Sequence, residues 1–305
     1  MAKYKVIMDT DPGIDDAAAL SMALNSPEID LRLITTVTGN VTVDKTTKNA
    51  LKIVEFFGKN VPVAAGAKHP LIKKYEDASH IHGESGLPGY DFPEPELKPL
   101  AKNAVIALRD EILSSDKKMI LIPTGCYTNI ALLFSLYPEV KDNIEKIICM
   151  GGSLGKGNAT SVAEFNIFTD PHAAKILFQS GLPIVMVGLD VTMTGLITDK
   201  TLNTISHINE SGKMLHDIFQ NYAPGENGTA VHDAQTIFYL LHPECFEVHN
   251  YWIDIVTDGP AIGATVADIR SAYHNNQTNA KVCTKVDKEA FNQWFIDMVK
   301  NYMIK

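Results

Sequence analysis

The sequence predicts an α/β protein, a single domain over residues 1–305 with a mostly parallel central sheet flanked by helices. Two observations carry that prediction. Short β-branched runs alternate with helical runs along most of the chain, the pattern of parallel strands joined by right-handed crossovers. Strand after strand then ends in glycine, Asp, Asn or Thr, at the edge where an open parallel sheet binds its ligands.

The elements follow in order. Residues 5–8 read as a strand and 16–24 as a helix. Residues 31–37 are a strand; 43–57 are a helix with Ala50, Leu51, Val54 and Phe57 on one face and Gly58 as its stop. A short strand at 61–64 is followed by a helix at 103–113. A strand at 119–122 leads to a helix at 129–136 that Pro138 ends. A strand at 146–150, a helix at 171–178 closed by Gly181 and a strand at 184–187 complete the regular alternation. Residues 233–241 read as a helix, 252–256 and 280–286 as two further strands, and 288–302 as a closing helix. Residues 68–99 lack periodicity, and a loop that long in a compact domain is usually functional or mobile. Residues 220–229, rich in Gly and Pro, read as a candidate lid.

Composition narrows the function. A hydrophobic content of 45% with 21% charged residues suits a water-soluble chain with a large core. The net charge of −9 and the lack of any basic run argue against nucleic acid and anionic membrane as partners. No stretch approaches the ~18 apolar residues of a membrane span. The apolar stretch before Asp9 is only three residues long, 6–8, so no secretory signal is read and the cytoplasm is the expected location. Cys126, Cys149, Cys245 and Cys283 form no CxxC pair, so reduced thiols are expected and a zinc or redox motif is not.

The strongest local signal is Asp9-Thr10-Asp11-Pro12-Gly13-Ile14-Asp15-Asp16, which follows the apolar run Val6-Ile7-Met8. Four carboxylates at one strand end repel one another unless a cation neutralises them. Pro12 and Gly13 make a tight turn that converges them on one point. This is the chemistry of a hard-metal site with oxygen ligands; spacing does not choose between calcium and magnesium. Thr124, through its carbonyl as well as its hydroxyl, and Asp233 are candidate further oxygens. Such a cation lowers the pKa of a bound water, and a nearby Asp can take its proton. Asp15 or Asp16 capping the helix that follows is the plainer alternative. For His232-Asp233 the plainer reading is a helix cap behind a surface histidine. The segment 158–166 offers amides and carboxylates suited to hydroxyl-rich ligands such as sugars, or is a polar loop.

The octapeptide resembles the signature of the nucleoside hydrolase family, the inosine–uridine-preferring ribohydrolases. The resemblance continues in order through Thr38-Gly39-Asn40, Pro123-Thr124-Gly125, Met150-Gly151-Gly152, Asn158, Glu164-Phe165-Asn166, Asp170-Pro171 and His232-Asp233. It implies a Rossmann-like core and hydrolysis of the N-glycosidic bond of ribonucleosides, giving ribose and a free base. It implies Ca²⁺ held by Asp11, Asp16, the Thr124 carbonyl and Asp233, with Asp11 as general base on a water. Asp15 and Asn166 would grip the 2′-hydroxyl, Asp233 the 3′-hydroxyl, and Asn158 with Glu164 the 5′-hydroxyl. Asn40 and Met150 would line the ribose pocket. His232 would face the leaving base and help protonate it, with His82 nearby. Gln220 and Tyr222 would contact the base, favouring uridine or cytidine together with inosine. Relatives of this kind are commonly homodimers or homotetramers.

Two other functions compete. A haloacid-dehalogenase-like phosphatase also begins DxD, as Asp9-Thr10-Asp11 does. That pattern wants Thr or Val where Gly13 stands, and a phosphate site wants a Lys or Arg near a strand end. A non-catalytic nucleoside- or sugar-binding protein would have no need of four clustered carboxylates.

Overall fold

The computed structural model describes residues 2–222 and 228–303. The strands are β1 (Tyr4–Thr10), β2 (Ile29–Thr36), β3 (Val63–Ala65), β4 (Met119–Pro123), β5 (Ile144–Met150), β6 (Ile184–Val187), β7 (Phe246–Tyr251), β8 (Ile253–Ile255), β9 (Thr265–Ala267) and β10 (Ala280–Val286). Eight of them form one sheet in the order β3-β2-β1-β4-β5-β6-β10-β7; β8 and β9 form a separate antiparallel ribbon. All pairs in the large sheet are parallel except β10 with β7. The mostly parallel α/β architecture is the one expected.

Alternation along β1 explains why both faces are covered. Val6 and Met8 point into one buried cluster and Ile7 into the other. Helix Ile14–Asn25 closes the first face with Ala17, Ala18 and Ala19, all fully buried. These small side chains let the helix sit close to the sheet, and enlarging one would overpack the contact by roughly 1–3 kcal/mol. Helix Thr128–Leu136 closes the other face with Ile130, Ala131 and Leu133.

The order reverses between β1 and β4. The chain leaves β1 toward β2 on one side, while β4 begins the run toward β5 on the other. Such a switch point leaves a crevice at the carboxyl ends of the strands, the preferred ligand site of open α/β sheets. Asp11 to Asp16 follow β1 and Thr124 follows β4, so both motifs open into that crevice.

Three regions depart from the sequence reading. The strand read at 252–256 is present as Ile253–Ile255 and pairs with Thr265–Ala267 in the ribbon, but the edge strand of the large sheet just before it, β7, was not read from the sequence. Helices Asp199–Ser206 and Glu210–Phe219 occupy a stretch with no element assigned. The candidate lid at 220–229 lies partly outside the described residues, which omit 223–227. Residues 68–99 contain one helical turn, Ser79–His82. The four cysteines are free, and among the described residues no helix is long and apolar enough to cross a membrane.

Candidate active site

Asp11 sits just past β1, almost fully buried. Its Oδ2 accepts the Asn40 backbone N–H at 2.7 Å, and its Oδ1 is buried without a hydrogen-bond partner. Two glycines make room for it. A Cβ on Gly39 would lie 1.9 Å from Oδ2, and one on Gly125 2.7 Å from Oδ1. The glycines of Thr38-Gly39-Asn40 and Pro123-Thr124-Gly125 are therefore required by the close approach of one carboxylate.

Asp16 binds its surroundings more fully. Its Oδ1 accepts from the hydroxyls of Thr10 and Thr124, the latter at 3.1 Å, and from the Asp11 N–H at 3.3 Å. Its Oδ2 accepts the Gly13 N–H at 3.1 Å and the Asn40 amide at 3.0 Å. The bond to Gly13 is a helix-capping contact, so the plainer reading of Asp16 is realised alongside the clustering. Asp233 stands at the N-cap of helix Ala234–Leu241, yet its side chain makes no capping bond. Carboxylate oxygens of Asp15, Asp16 and Asp233 lie within 4.8 Å of one another.

This crowding dominates the electrostatics. Burial first, and then the charge of Asp16, raises Asp15 to about 8. Burial and neighbouring carboxylates push Asp11 and Asp233 well above the carboxylate range, and burial raises Asp16. At neutral pH these carboxylates cannot all be charged together without a compensating cation. The oxygen-only donors, their buried convergence and the unpartnered Asp11 Oδ1 fit a hard divalent ion.

The remaining wall comes from after β4 and β5. Asn166 donates its amide to the carbonyls of Thr124 at 2.7 Å and Met150 at 3.2 Å. Glu164 caps the helix that carries Asn166, accepting from the N–H groups of Gly152, Asn166 and Ile167. Asn158 accepts from the Phe165 N–H at 2.9 Å. The buried His232 contacts the Thr192 hydroxyl through Nδ1 at 2.7 Å, and burial lowers its pKa to about 4. His82 accepts the Ile14 N–H at 3.2 Å, is lowered to about 3 by burial, and its ring lies 5.5 Å from that of Tyr222.

These groups enclose a cavity of about 220 Å³ lined by Asp15, Asn40, His82, Thr124, Met150, Asn158, Glu164, Asn166, Tyr222, His232 and Asp233. Asp11 and Asp16 lie outside that lining, joined to it through Asn40 and Thr124. Gln220 is not on the wall; its amide meets His216 at 3.2 Å. Sequence reasoning missed Glu76, Asp77, His80, Ile81, Phe165 and Phe168, which also line the cavity. Glu76, Asp77, His80 and Ile81 lie within the aperiodic stretch 68–99, and Phe165 within the Glu164-Phe165-Asn166 motif, so their segments carried a signal though the residues were not singled out; Phe168 had none. Among the described residues no Lys or Arg lines the cavity, so a phosphate-ester site gains nothing here.

Comparison with known proteins agrees with this geometry. The family model described as inosine-uridine preferring nucleoside hydrolase matches residues 6–293. The non-specific ribonucleoside hydrolase RihC of Salmonella typhi is 45% identical over 300 residues, covering 97% of this chain and 98% of that protein. A purine-preferring ribonucleoside hydrolase from Gardnerella vaginalis superposes with a TM-score of 0.91 at 34% identity, covering 97% and 98% of the two chains. A plant nucleoside hydrolase superposes with a TM-score of 0.91 at 30% identity, covering 98% and 99%.

Proposed function

Because the chain belongs to the inosine-uridine preferring nucleoside hydrolase family, we propose the following division of labour for its hydrolysis of the N-glycosidic bond of ribonucleosides. The observation that carries it is the convergence of Asp15, Asp16 and Asp233 with Asn166 and Glu164 at the switch-point crevice. Asp11, Asp16, the Thr124 carbonyl and Asp233 hold one hard cation, Ca²⁺ in this reading. When bound, it supplies charge that lets the carboxylates ionise together and polarises a water.

The chain's own groups do the rest. Asp11 Oδ1, the oxygen without a partner, accepts the proton of the attacking water. Asp15 and Asn166 hold the 2′-hydroxyl, Asp233 the 3′-hydroxyl, and Asn158 and Glu164 the 5′-hydroxyl, while Asn40 and Met150 shape the ribose pocket. Breaking the glycosidic bond builds positive charge on the sugar ring, which surrounding carboxylates stabilise. His232 is neutral at pH 7, and its Nδ1 is engaged by Thr192. Nε2 is therefore the ring nitrogen left to face the leaving base, and with the Thr192 hydroxyl donating to Nδ1 it carries the ring proton and hydrogen-bonds the departing base. His82 and Tyr222 pack on the base side. The same proposal has residues 1–305 acting as one catalytic domain, in a homodimer or homotetramer, in the cytoplasm.

The substrate range proposed is broad, taking uridine, cytidine and inosine. A relative that is 45% identical carries the name non-specific ribonucleoside hydrolase, which supports that breadth. A reducing-sugar assay on inosine, uridine, cytidine, adenosine and 2′-deoxyuridine, with and without chelator, tests the whole reading. Ribose release that needs the 2′-hydroxyl and fades on chelation is expected, and Asp11→Ala should abolish it in a folded protein. No release from any ribonucleoside would overturn it.

A further inference from the structure

A second cavity lies at the opposite edge of the sheet, among the first residues of β5, β6 and β10. It measures about 530 Å³, within the usual size range of small-molecule sites. Lys146 starts it from β5, Lys281 from β10 and Asn250 from β7. Register fixes their side. Ile148 pairs with Val185, Val185 with Lys281, and Lys281 with Asn250. Paired residues share a face and period-two spacing adds Lys146, so the two lysines and the asparagine emerge on the same face.

The lining chemistry is the reverse of the catalytic cavity's. The chain holds 36 acidic residues against 27 basic ones, yet among the described residues no Asp or Glu lines this groove. Lys281 has no ion pair among the described residues, and Lys146 reaches its neighbour Glu145 at 3.6 Å and lies over the Tyr4 ring at 5.9 Å from its centroid. Aromatic residues Tyr239, Trp252 and Phe178 are also in the lining. Trp252 is fixed in place: its ring stacks on His274 at 4.6 Å between centroids, and its N–H donates to Asp254 at 3.1 Å. The carbonyl of Phe178, another lining residue, is taken by the Asn279 amide at 3.1 Å, so it presents no free acceptor to repel an anion.

We propose that this groove binds a small anion carrying a flat ring, the class to which nucleoside monophosphates belong. The phosphate sits between Lys146 and Lys281, and the ring lies against Trp252 and Tyr239. The catalytic cavity has no Lys or Arg among its described lining residues to pair with the same phosphate.

Calorimetric titration of the intact enzyme with uridine 5′-monophosphate and, separately, with inorganic phosphate tests this. The nucleotide is expected to bind at sub-millimolar concentration and about tenfold more tightly than phosphate. Lys281→Glu and Lys146→Glu, both on the side away from the catalytic cavity, should each weaken it about tenfold, with turnover of uridine unchanged. Trp252→Ala should weaken the nucleotide and spare phosphate. No binding at millimolar nucleotide, binding unaltered by the lysine variants, or phosphate binding as tightly as the nucleotide would each overturn the proposal. Loss of binding in Asp233→Ala with retention in Lys281→Glu would move the ligand to the catalytic cavity and overturn it too.

Discussion

The side-chain amide of Asn166 donates to the main-chain carbonyl of Thr124 at 2.7 Å, across 42 residues of sequence. This bond joins the short helix Phe165–Thr169 to the end of β4. It aims a polar group at the crevice beside Asp15 and Asp233. In the proposed function the carbonyl serves the cation and the amide serves the 2′-hydroxyl, so one contact couples both.

Asn166→Ala should therefore cost most with substrates that carry the 2′-hydroxyl. The loss of one hydrogen bond to a desolvated hydroxyl is about 1.5–3 kcal/mol, or roughly 10–100-fold in kcat/KM. With 2′-deoxyuridine, already lacking the partner, the same substitution should cost much less. Steady-state kinetics on uridine and 2′-deoxyuridine for both enzymes measure the difference; equal losses on the two would place Asn166 away from that hydroxyl.

Gly39→Ala is expected to silence the enzyme without touching a polar group. Its Cβ would fall 1.9 Å from Asp11 Oδ2, which must swing off the Asn40 N–H. Overpacking of this kind costs roughly 1–3 kcal/mol of stability, a few degrees in Tm for a chain this long. We expect kcat/KM to fall by about two orders of magnitude or more, because a displaced base loses its line to the reacting atoms. Activity near wild type would show that Asp11 need not hold that position.

What the sequence revealed and what it hid divide along a physical line. The Asp cluster was legible because a strand, a tight turn and a helix follow within a few residues, all local. The glycine of Thr38-Gly39-Asn40 was found as part of a motif, but its reason is a carboxylate from another strand end. Thr192 lies forty positions from the His232 it contacts, and no spacing rule joins them. Strand β7 has one buried residue, Phe246, in a polar run, because it is an edge. Helices Asp199–Ser206 and Glu210–Phe219 did carry helical spacing in Leu202 and Ile205 and in Met214, Leu215 and Ile218, though Gly212 interrupts the second.

Thr192→Val should act through the tautomer of His232. A hydroxyl that donates to Nδ1 keeps the ring proton on Nε2, facing the leaving base. Removing it should lower kcat/KM on uridine by about tenfold, the scale of a general-acid contribution partly lost. An aryl riboside whose leaving group needs no proton should be hydrolysed almost as before. Equal losses on both substrates would assign Thr192 a packing role only.

Adding a divalent cation to chelator-treated enzyme should raise its Tm. A ligand at a hundred times its dissociation constant stabilises by about 2.7 kcal/mol, and relief of the Asp15, Asp16 and Asp233 crowding is the source. Scanning with Ca²⁺ and Mg²⁺ should favour Ca²⁺, whose flexible coordination suits donors from three separate segments. In Asp233→Asn the shift should largely vanish. A Tm indifferent to both ions would remove the cation from the proposal.

Glu164 sets a pH dependence whose sign follows from its burial. Desolvation raises its folded pKa to about 7, against an ordinary value of 4.5, and outweighs its bonds from backbone N–H groups. The folded state thus holds the proton more tightly than the unfolded chain does. Its contribution to stability is full below about pH 4.5 and is lost as pH rises through about 7. The swing amounts to about 3 kcal/mol for a fully buried group. Glu164→Gln removes the titration, though an amide facing the N–H groups of Gly152 and Ile167 lowers stability at every pH. The reading to take is therefore the slope: the change in unfolding free energy between pH 5 and pH 8, in chelator, should be smaller in the variant by about that amount. An unchanged slope would mean that Glu164 stays ionised in the folded protein, its three backbone donors outweighing the loss of water.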